Sequence, residues 1–525
     1  MKLTQILDAL AQRDAFHLLD CGRRGIEKEG LRYTYTDRLS EKSHPKTLGS
    51  PLTHQEVTTD YAESLLEIVT PAFRNSRDTQ AHLCYLHRVL AQDSYEYMLN
   101  GSMPAYIADT EAVQIGWYGR SHAGQMRRLY RKGLALRYGK AMQLIAGMHF
   151  NYSICNRLFN HYAEILGCHF NRQFVDQCYM NLVRNLRRYA WLTAYLFGHS
   201  PAVDKSFLHG KSHTLDTFDD ETLYLPHATS LRMSDIGYQN KTGHLVSANS
   251  LAQYIHDLAA AVKTPCKAFE QMGLYDVNGD YQQINTNLLQ IENEYYTAAR
   301  PKQLMISGEP PLRALADRGV AYVELRTLDI NCFERTGISQ NQLDFLEVFM
   351  LFCLFDEAPI FDKTDEKEAK TNMANISRYG RDPEVLINNR GQPTGVSRWG
   401  SEILEAMRPI AEAMDSEKHR PHYVSLIERE LEVVANPELT PSARIMRHLS
   451  GEITGTPMSY HQFITNLSRK HMQVSREMGL TPAEKAKVDK DAEISLKKEK
   501  KLAKKSKKTT FDTYLNDYFE QIEDL

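Results

Sequence analysis

No apolar run in the chain is longer than the eight residues VFMLFCLF at 348–355, far short of the ~20 that cross a bilayer. The opening stretch MKLTQILDALAQRD is broken by an acid and polar residues where a secretory signal needs an unbroken apolar core. It reads instead as an amphipathic first helix, and the protein is expected in the cytoplasm. The eight cysteines are scattered over 525 residues with no CxxC spacing, so neither a zinc ribbon nor a disulfide framework is expected. Small buried thiols account for them, as for Cys353 inside its apolar run. There is no GxxxxGK[ST] loop, no GxGxxG after a strand, no HExxH and no serine elbow. These absences set aside P-loop, Rossmann, zincin and serine-hydrolase chemistry. No repeat at solenoid or propeller periods is visible.

Neither sign of charge dominates, with 63 Lys+Arg against 66 Asp+Glu and a net of −3. The distribution is uneven. Residues 497–508, KKEKKLAKKSKK, hold eight lysines and one glutamate, so the remainder carries −3 − 7 = −10. The lysine run reads as a solvated linker. The segment after it, FDTYLNDYFEQIEDL, repeats Phe511, Tyr514, Leu515, Tyr518, Phe519 and Ile522 at helical spacing and is expected to dock on the body.

The body mixes strands and helices. MHFNYSI (148–154) puts His149, Asn151 and Ser153 on one face and Met148, Phe150 and Tyr152 on the other. AYVELRTLDI (321–330) separates Glu324 and Arg326 from Val323 and Leu325. One polar and one apolar face per strand predicts an antiparallel sheet. Helices are expected at 182–197, 251–263 and 341–355, and the stretch from about 335 to 475 is nearly all helical.

In GIEKEG (25–30) a strand would place Glu27 and Glu29 on one face, about 7 Å apart. An isolated pair of this kind is usually a solvated strand edge. Here it is joined by Asp60, Glu63 and Glu67 in DYAESLLEIVTP, by Glu324 and by His149. If the Glu63–Glu67 stretch is helical, a solvated helix face explains those two. Carboxylates plus one imidazole suit hard divalent cations, which bridge protein oxygens to nucleotide phosphates. Arg232 and Arg326 add fixed positive charge for a transferring phosphoryl group. The residues alone therefore point to a metal-dependent enzyme, with ATP as one candidate substrate.

Six blocks, GIEKEGLR, TTDYAESLLEIVTP, GLALRYGKAMQLIAGMHFNYS, YLPHATSLRMSDIGYQN, LQIENEYYTAARPK and YVELRTLDIN, occur in order. They resemble the signature blocks of the proteobacterial glutamate–cysteine ligases, over residues 20 to 470. The resemblance implies an α+β fold: a glutamine-synthetase-like curved antiparallel sheet forming a funnel surrounded by helices. A catalytic domain would span 1–480, with 335–480 a mostly helical covering lobe and 481–525 a charged tail. The implied reaction activates the γ-carboxylate of glutamate with ATP and joins it to the amine of cysteine, the first step of glutathione synthesis. Glu27, Asp60 and Glu67 would hold one Mg²⁺, and Glu29, His149 and Glu324 another, with Mn²⁺ as a substitute. Arg326, Arg232 and Asn151 would serve the transferring phosphoryl group and the tetrahedral intermediate. Tyr130, Arg131, Gln143, Tyr238 and Tyr296 would form the cysteine pocket. Gly30 stands where family members carry a small hydroxyl residue. The expected partners are glutamate, cysteine and ATP, with no nucleic acid or membrane, and the expected state is a monomer. The alternatives are a related carboxylate–amine ligase, a guanidino-type phosphotransferase and a non-catalytic protein of the same fold.

Overall fold

The alternation in GIEKEGLR becomes the middle of a twelve-residue strand, Arg23–Thr34. In the computed structural model, which describes residues 1–92, 95–210, 212–237, 243–418 and 421–525, that strand lies near the middle of a seven-stranded sheet. Across the sheet the order is Val57–Thr59, Leu65–Val69, Arg23–Thr34, Met148–Ser153, Tyr322–Leu328, Ala299–Lys302, and Glu96–Met98 pairs with the far end of the first strand. Every pairing is antiparallel, as the one-sided polarity of the strands predicts.

The apolar sides of the strands, with Ile26, Met148, Phe150, Tyr152, Val323 and Leu325, are buried. Behind the Tyr322–Leu328 strand runs the helix Arg172–Phe197, which packs in turn on the helix Gln340–Phe355. Residues 342–355 are buried on every side of the latter helix, as expected for a helix that is apolar all round. Further helices at Lys363–Tyr379, Val396–Lys418, Tyr423–Ala435, Pro441–Leu449 and Tyr460–Met478 follow, interrupted by the hairpin Leu386–Asn389 and Gln392–Gly395. Their apolar residues belong to the same continuous core as the sheet.

One open alternative is closed and two expectations need correction. Glu63 and Glu67 are not on a helix: Glu67 lies in the strand Leu65–Val69, whose Leu-Leu-Glu-Ile-Val sequence suits a half-buried strand, and Glu63 sits in the turn before it. Cys21 and Cys155 form a disulfide, with Cα atoms 5.9 Å apart. The antiparallel register pairs Arg23 with Ser153, so the residues two before and two after meet across the sheet. That pairing bridges 134 residues and leaves no trace in local spacing. The lysine-rich segment is not a linker either, because Pro482–Ser506 is a 25-residue helix opened by the capping box Thr481–Glu484. Lysine, alanine and glutamate are strong helix formers. Ala492 and Ser495 are buried, and Ser495 Oγ accepts from the Ser50 amide at 2.9 Å. The terminal segment docks as expected, as the helix Phe511–Glu520.

Candidate functional site

Register builds the site. On the polar side of the sheet Glu27 faces His149 across one pairing and Val69 across the other, while Glu29 lies directly opposite Glu67. Glu324 is paired with Asn151 on one side and Arg300 on the other. Asp60 follows the edge strand, and its amide donates to Leu65 O at 2.9 Å. Two carboxylates directly opposite each other in a ladder are destabilising unless something lies between them.

The imidazole of His149 sits at the centre. Its Nδ1 is 3.3 Å from Glu27 Oε2 and 3.6 Å from Glu324 Oε1, and its Nε2 is 3.9 Å from Glu29 Oε1. Glu27, His149 and Glu324 each offer a ligand atom within 4.8 Å of the others. The expected division of ligands placed Glu29 with His149 and Glu324; the tight trio contains Glu27 in its place, and Glu29 touches the other ring nitrogen. Asn151 Nδ2 donates to Glu27 Oε1 at 2.8 Å. Gly147 N donates to Glu29 Oε2 at 2.6 Å.

The carboxylates are not electrostatically alike. Burial pushes the pKa of Glu324 up, but Arg326, Lys302, His149 and Arg300 outweigh it and hold the group well below the usual carboxylate range. Glu27 is also lowered, burial being overcome by the hydrogen bond from His149 and the charges of His149 and Lys302. Glu67 is raised well above the ordinary value by burial and by repulsion from Glu27, Asp60 and Glu29. Glu29 is raised by burial and Asp60. In one half of the cluster the neighbouring cations outweigh burial, and in the other half burial and neighbouring carboxylates outweigh the cations.

Arg326 Nη1 lies 3.0 Å from Glu324 Oε1. Arg232 is held behind it, donating from Nη2 to Arg326 O at 2.8 Å and lying 3.9 Å from Asp329. Arg131 donates to the carbonyl of Asp60, stacks over the Tyr118 ring and approaches Asp60 Oδ1 at 3.8 Å. The helix His122–Tyr138 that carries Tyr130 and Arg131 starts at Ser121, whose hydroxyl accepts from Gly124 N, and stops at Gly139 with φ of 85°. Tyr130, Arg131, Gln143 and Tyr296 line the same cleft as Glu27, Glu29, Asp60, Glu67, His149, Glu324, Arg232 and Arg326. Asn151 joins them through its bond to Glu27. Tyr238 lies outside the described residues. Glu63 does not enter the cleft: it is buried and accepts from the His44 and Trp117 amides at 2.6 and 2.5 Å. Gly30 does not face the cleft either, since a Cβ there would meet the Met98 side chain on the apolar side.

Two cationic residues of the cleft were missed, Arg300 and Lys302. Lys302 Nζ lies 3.6 Å from Glu324 Oε2. Their signal was available, since Arg300 and Lys302 alternate within AARPK and therefore share a strand face.

The residues suit divalent cations. Five carboxylates and an imidazole converge, and Glu324 Oε2 and Asn151 Oδ1 are buried with no hydrogen-bond partner. Such a donor set is that of a hard-cation site.

A family model for glutamate–cysteine ligase matches residues 7–376. The chain belongs to the glutamate–cysteine ligase family. It is 39% identical over 520 residues to a glutamate–cysteine ligase of Pseudomonas fluorescens, covering 98% of this chain and 97% of that one. It is 41% identical over 500 residues to that of Pseudomonas paraeruginosa, covering 94% and 93%. The crystal structure of a glutamate–cysteine ligase from Francisella tularensis in complex with AMP superposes with a TM-score of 0.89 at 34% identity, covering 95% of this chain and 97% of that one. The α+β architecture is thus that of a solved glutamate–cysteine ligase, and the enzyme class follows: a ligase of the first step of glutathione synthesis. Among the described residues no helix is long and apolar enough to cross a membrane.

Proposed function

We propose that the cleft performs the ligation in two steps, with ATP as co-substrate. A γ-carboxylate oxygen of glutamate attacks the γ-phosphorus of ATP and ADP leaves. The amine of cysteine then attacks the resulting acyl phosphate, and phosphate departs with the carboxylate oxygen. Activation is required because a free carboxylate is a poor electrophile. The observation that carries the reading is the juxtaposition of the Glu27–His149–Glu324 trio with Arg326, Lys302 and Arg232 on one side of the sheet.

In this reading Glu27, Glu29, Asp60, Glu67, His149 and Glu324 hold two or three Mg²⁺ ions. Bound there, the ions supply positive charge against the phosphate oxygens. Arg326 and Arg232 bind the phosphoryl oxygens, oriented by the carboxylate of Glu324 and the carbonyl of Arg326. Asn151 keeps Glu27 in place and presents its unpartnered Oδ1. Tyr130, Arg131, Gln143 and Tyr296 form the wall that takes the cysteine; the buried Nε2 of Gln143, which lacks a protein partner, is a donor ready for a substrate oxygen. The Francisella protein was solved in complex with AMP, which supports a nucleotide as co-substrate. The enzyme is taken to act as a cytoplasmic monomer on small molecules alone.

Glutamate labelled with ¹⁸O in its γ-carboxylate tests the chemistry. With ATP, Mg²⁺ and cysteine, each turnover places one labelled oxygen in inorganic phosphate and leaves one in the new amide. Label in AMP with release of pyrophosphate, or unlabelled phosphate beside genuine dipeptide, contradicts the acyl phosphate. Phosphorylation of a metabolite with no amine acceptor points to the guanidino-kinase reading instead.

A further inference from the structure

The inner wall of the cleft and the C-terminus of the chain meet in one small cluster. The helix His122–Tyr138 turns Arg131 and Leu134 toward the cleft. On another side Met126 and Leu129 are buried in a cluster of their own with Ile284 and Leu515, rimmed by Tyr130, Ile291, Tyr514 and Tyr518. Leu515, Tyr514 and Tyr518 come from the terminal helix Phe511–Glu520.

That helix grips both elements that face the cysteine side of the cleft. Tyr518 Oη donates to Glu292 Oε2 at 3.3 Å, one residue before Asn293 and four before Tyr296, both of which line the cleft. Tyr281 Oη donates to Asp512 Oδ1 at 2.8 Å. At the start of the wall helix, His122 N donates to Ser506 Oγ at 2.9 Å, and the His122 ring packs on Phe511 and Tyr514. The far end of the wall helix is fixed independently, by the buried ion pair of Arg137 with Glu294 at 3.0 Å. Between these points Gln290 Nε2 donates to Tyr130 O at 3.2 Å, tying wall helix to loop. The strands that carry Glu27, His149 and Glu324 belong to the main core and need none of these contacts.

We propose that the terminal helix positions the amine-acceptor side of the cleft, with Leu515 and Tyr518 as positioning residues that act through Tyr130 and Glu292. The proposal rests on the assignment of Tyr130, Arg131 and Tyr296 to the cysteine pocket. The wall helix and the 281–296 loop are then set at their substrate-binding spacing by the last residues of the chain. Loss of the brace loosens cysteine binding and leaves glutamate and nucleotide on a rigid sheet.

Steady-state kinetics on the full-length protein test this. Leu515→Ala is expected to raise KM for cysteine about tenfold, with kcat and KM for glutamate and ATP held within about twofold, because small misplacements of a binding wall are costly. Leu515→Met, which refills the volume, is expected to return KM for cysteine to within about twofold of wild type. Tyr518→Phe keeps the ring in place and is expected to raise the same constant about threefold through loss of its bond to Glu292. Unchanged KM for cysteine in both Leu515→Ala and Tyr518→Phe overturns the proposal. So does a parallel rise in all three KM values, which marks general loosening. Tyr296→Phe separates this from the pocket assignment: if it raises KM for cysteine while the tail variants do not, the pocket stands and the brace falls. If neither Tyr296→Phe nor Arg131→Lys affects cysteine, the pocket assignment falls and takes the proposal with it.

Discussion

The two faces of the strand Arg23–Thr34 treat charge in opposite ways. On the core side Arg24 meets Glu347, Lys28 donates to Asn100 Oδ1 at 2.7 Å and lies 3.0 Å from His87 Nε2, and Arg32 lies 2.5 Å from Glu96. Arg24 and Arg32 each have a carboxylate built into the chain, and Lys28, whose ammonium burial pushes well below its usual range, is held by the uncharged Asn100 side chain and the His87 ring. On the cleft side Glu27 and Glu29 meet an imidazole and a like charge, Glu67. Burial of charge is tolerated when it is paired and hydrogen-bonded. The core face satisfies that condition with protein groups, and the cleft face does so only in part, through His149, Asn151 and the Gly147 amide. Within residues 24–32 of one strand, the basic residues lie on the core face and the acidic residues proposed for the chemistry on the other.

The strongest way to break the comparison is to remove a charge on the cleft side. Glu27→Gln is expected to cost at least about a thousandfold in turnover, since it deletes a charge that matters only in the loaded site. Far-UV circular dichroism is expected to remain that of wild type. Near-normal turnover would return Glu27 to the status of a solvated strand residue.

A core-side change has the reverse profile. Arg32→Met leaves Glu96 buried beside Ser40 and Lys42 alone. It is expected to cost about 3–5 kcal/mol of stability in denaturant titrations. Activity per folded molecule is expected to survive.

Glu347 sharpens the contrast through pH. Burial raises its carboxyl to about 7 in spite of Arg24. The native state therefore keeps a proton that the unfolded chain releases near 4.5. The stabilisation is fully present below pH 4.5 and is lost as pH rises to about 7, a change of roughly 3 kcal/mol at 1.36 kcal/mol per unit. Glu347→Gln cannot titrate, so the stability difference between wild type and variant is expected to shift in the variant's favour from pH 4.5 to 7. A constant difference would mean the carboxyl ionises normally in the fold.

The smallest effect is expected from the lysine-rich end of the Pro482–Ser506 helix. Replacing Lys497, Lys500, Lys504 and Lys507 with glutamine is expected to change turnover by no more than about twofold, because exposed charges are screened over ~8 Å. A tenfold loss would mean that these lysines reach the cleft.

How far the site was legible follows from the distances involved. The polar faces of Met148–Ser153 and Tyr322–Leu328 could be read because period two is local to a strand. The ionic character of the site could be read because Glu27, Glu29, Asp60, Glu67, His149 and Glu324 are all oxygen or imidazole donors. Their grouping was not legible. Glu29 faces Glu67 and Glu27 faces His149 through registers that join residues 38 and 122 positions apart. Spacing leaves strand and helix open for Glu67, and its pairing with Glu29 across the ladder makes it a strand residue. The Cys21–Cys155 link depends on the same hidden register. The lysine-rich helix was hidden differently, since its charge suggested solvation while a few small residues, Ala492 and Ser495, provide its seat on the body.

The most direct test of the two-faced strand is the melting temperature of Glu67→Gln against wild type at pH 8, with and without Mg²⁺ and a non-hydrolysable ATP analogue. Glu67 is pushed well above the ordinary carboxylate range by burial and by Glu27, Asp60 and Glu29. The metal-free variant is therefore expected to melt at or above wild type, and Mg²⁺ with nucleotide is expected to stabilise wild type more than the variant. A variant that melts well below wild type without metal, and gains just as much from Mg²⁺ and nucleotide, would show that Glu67 is a paired structural charge and would contradict the account.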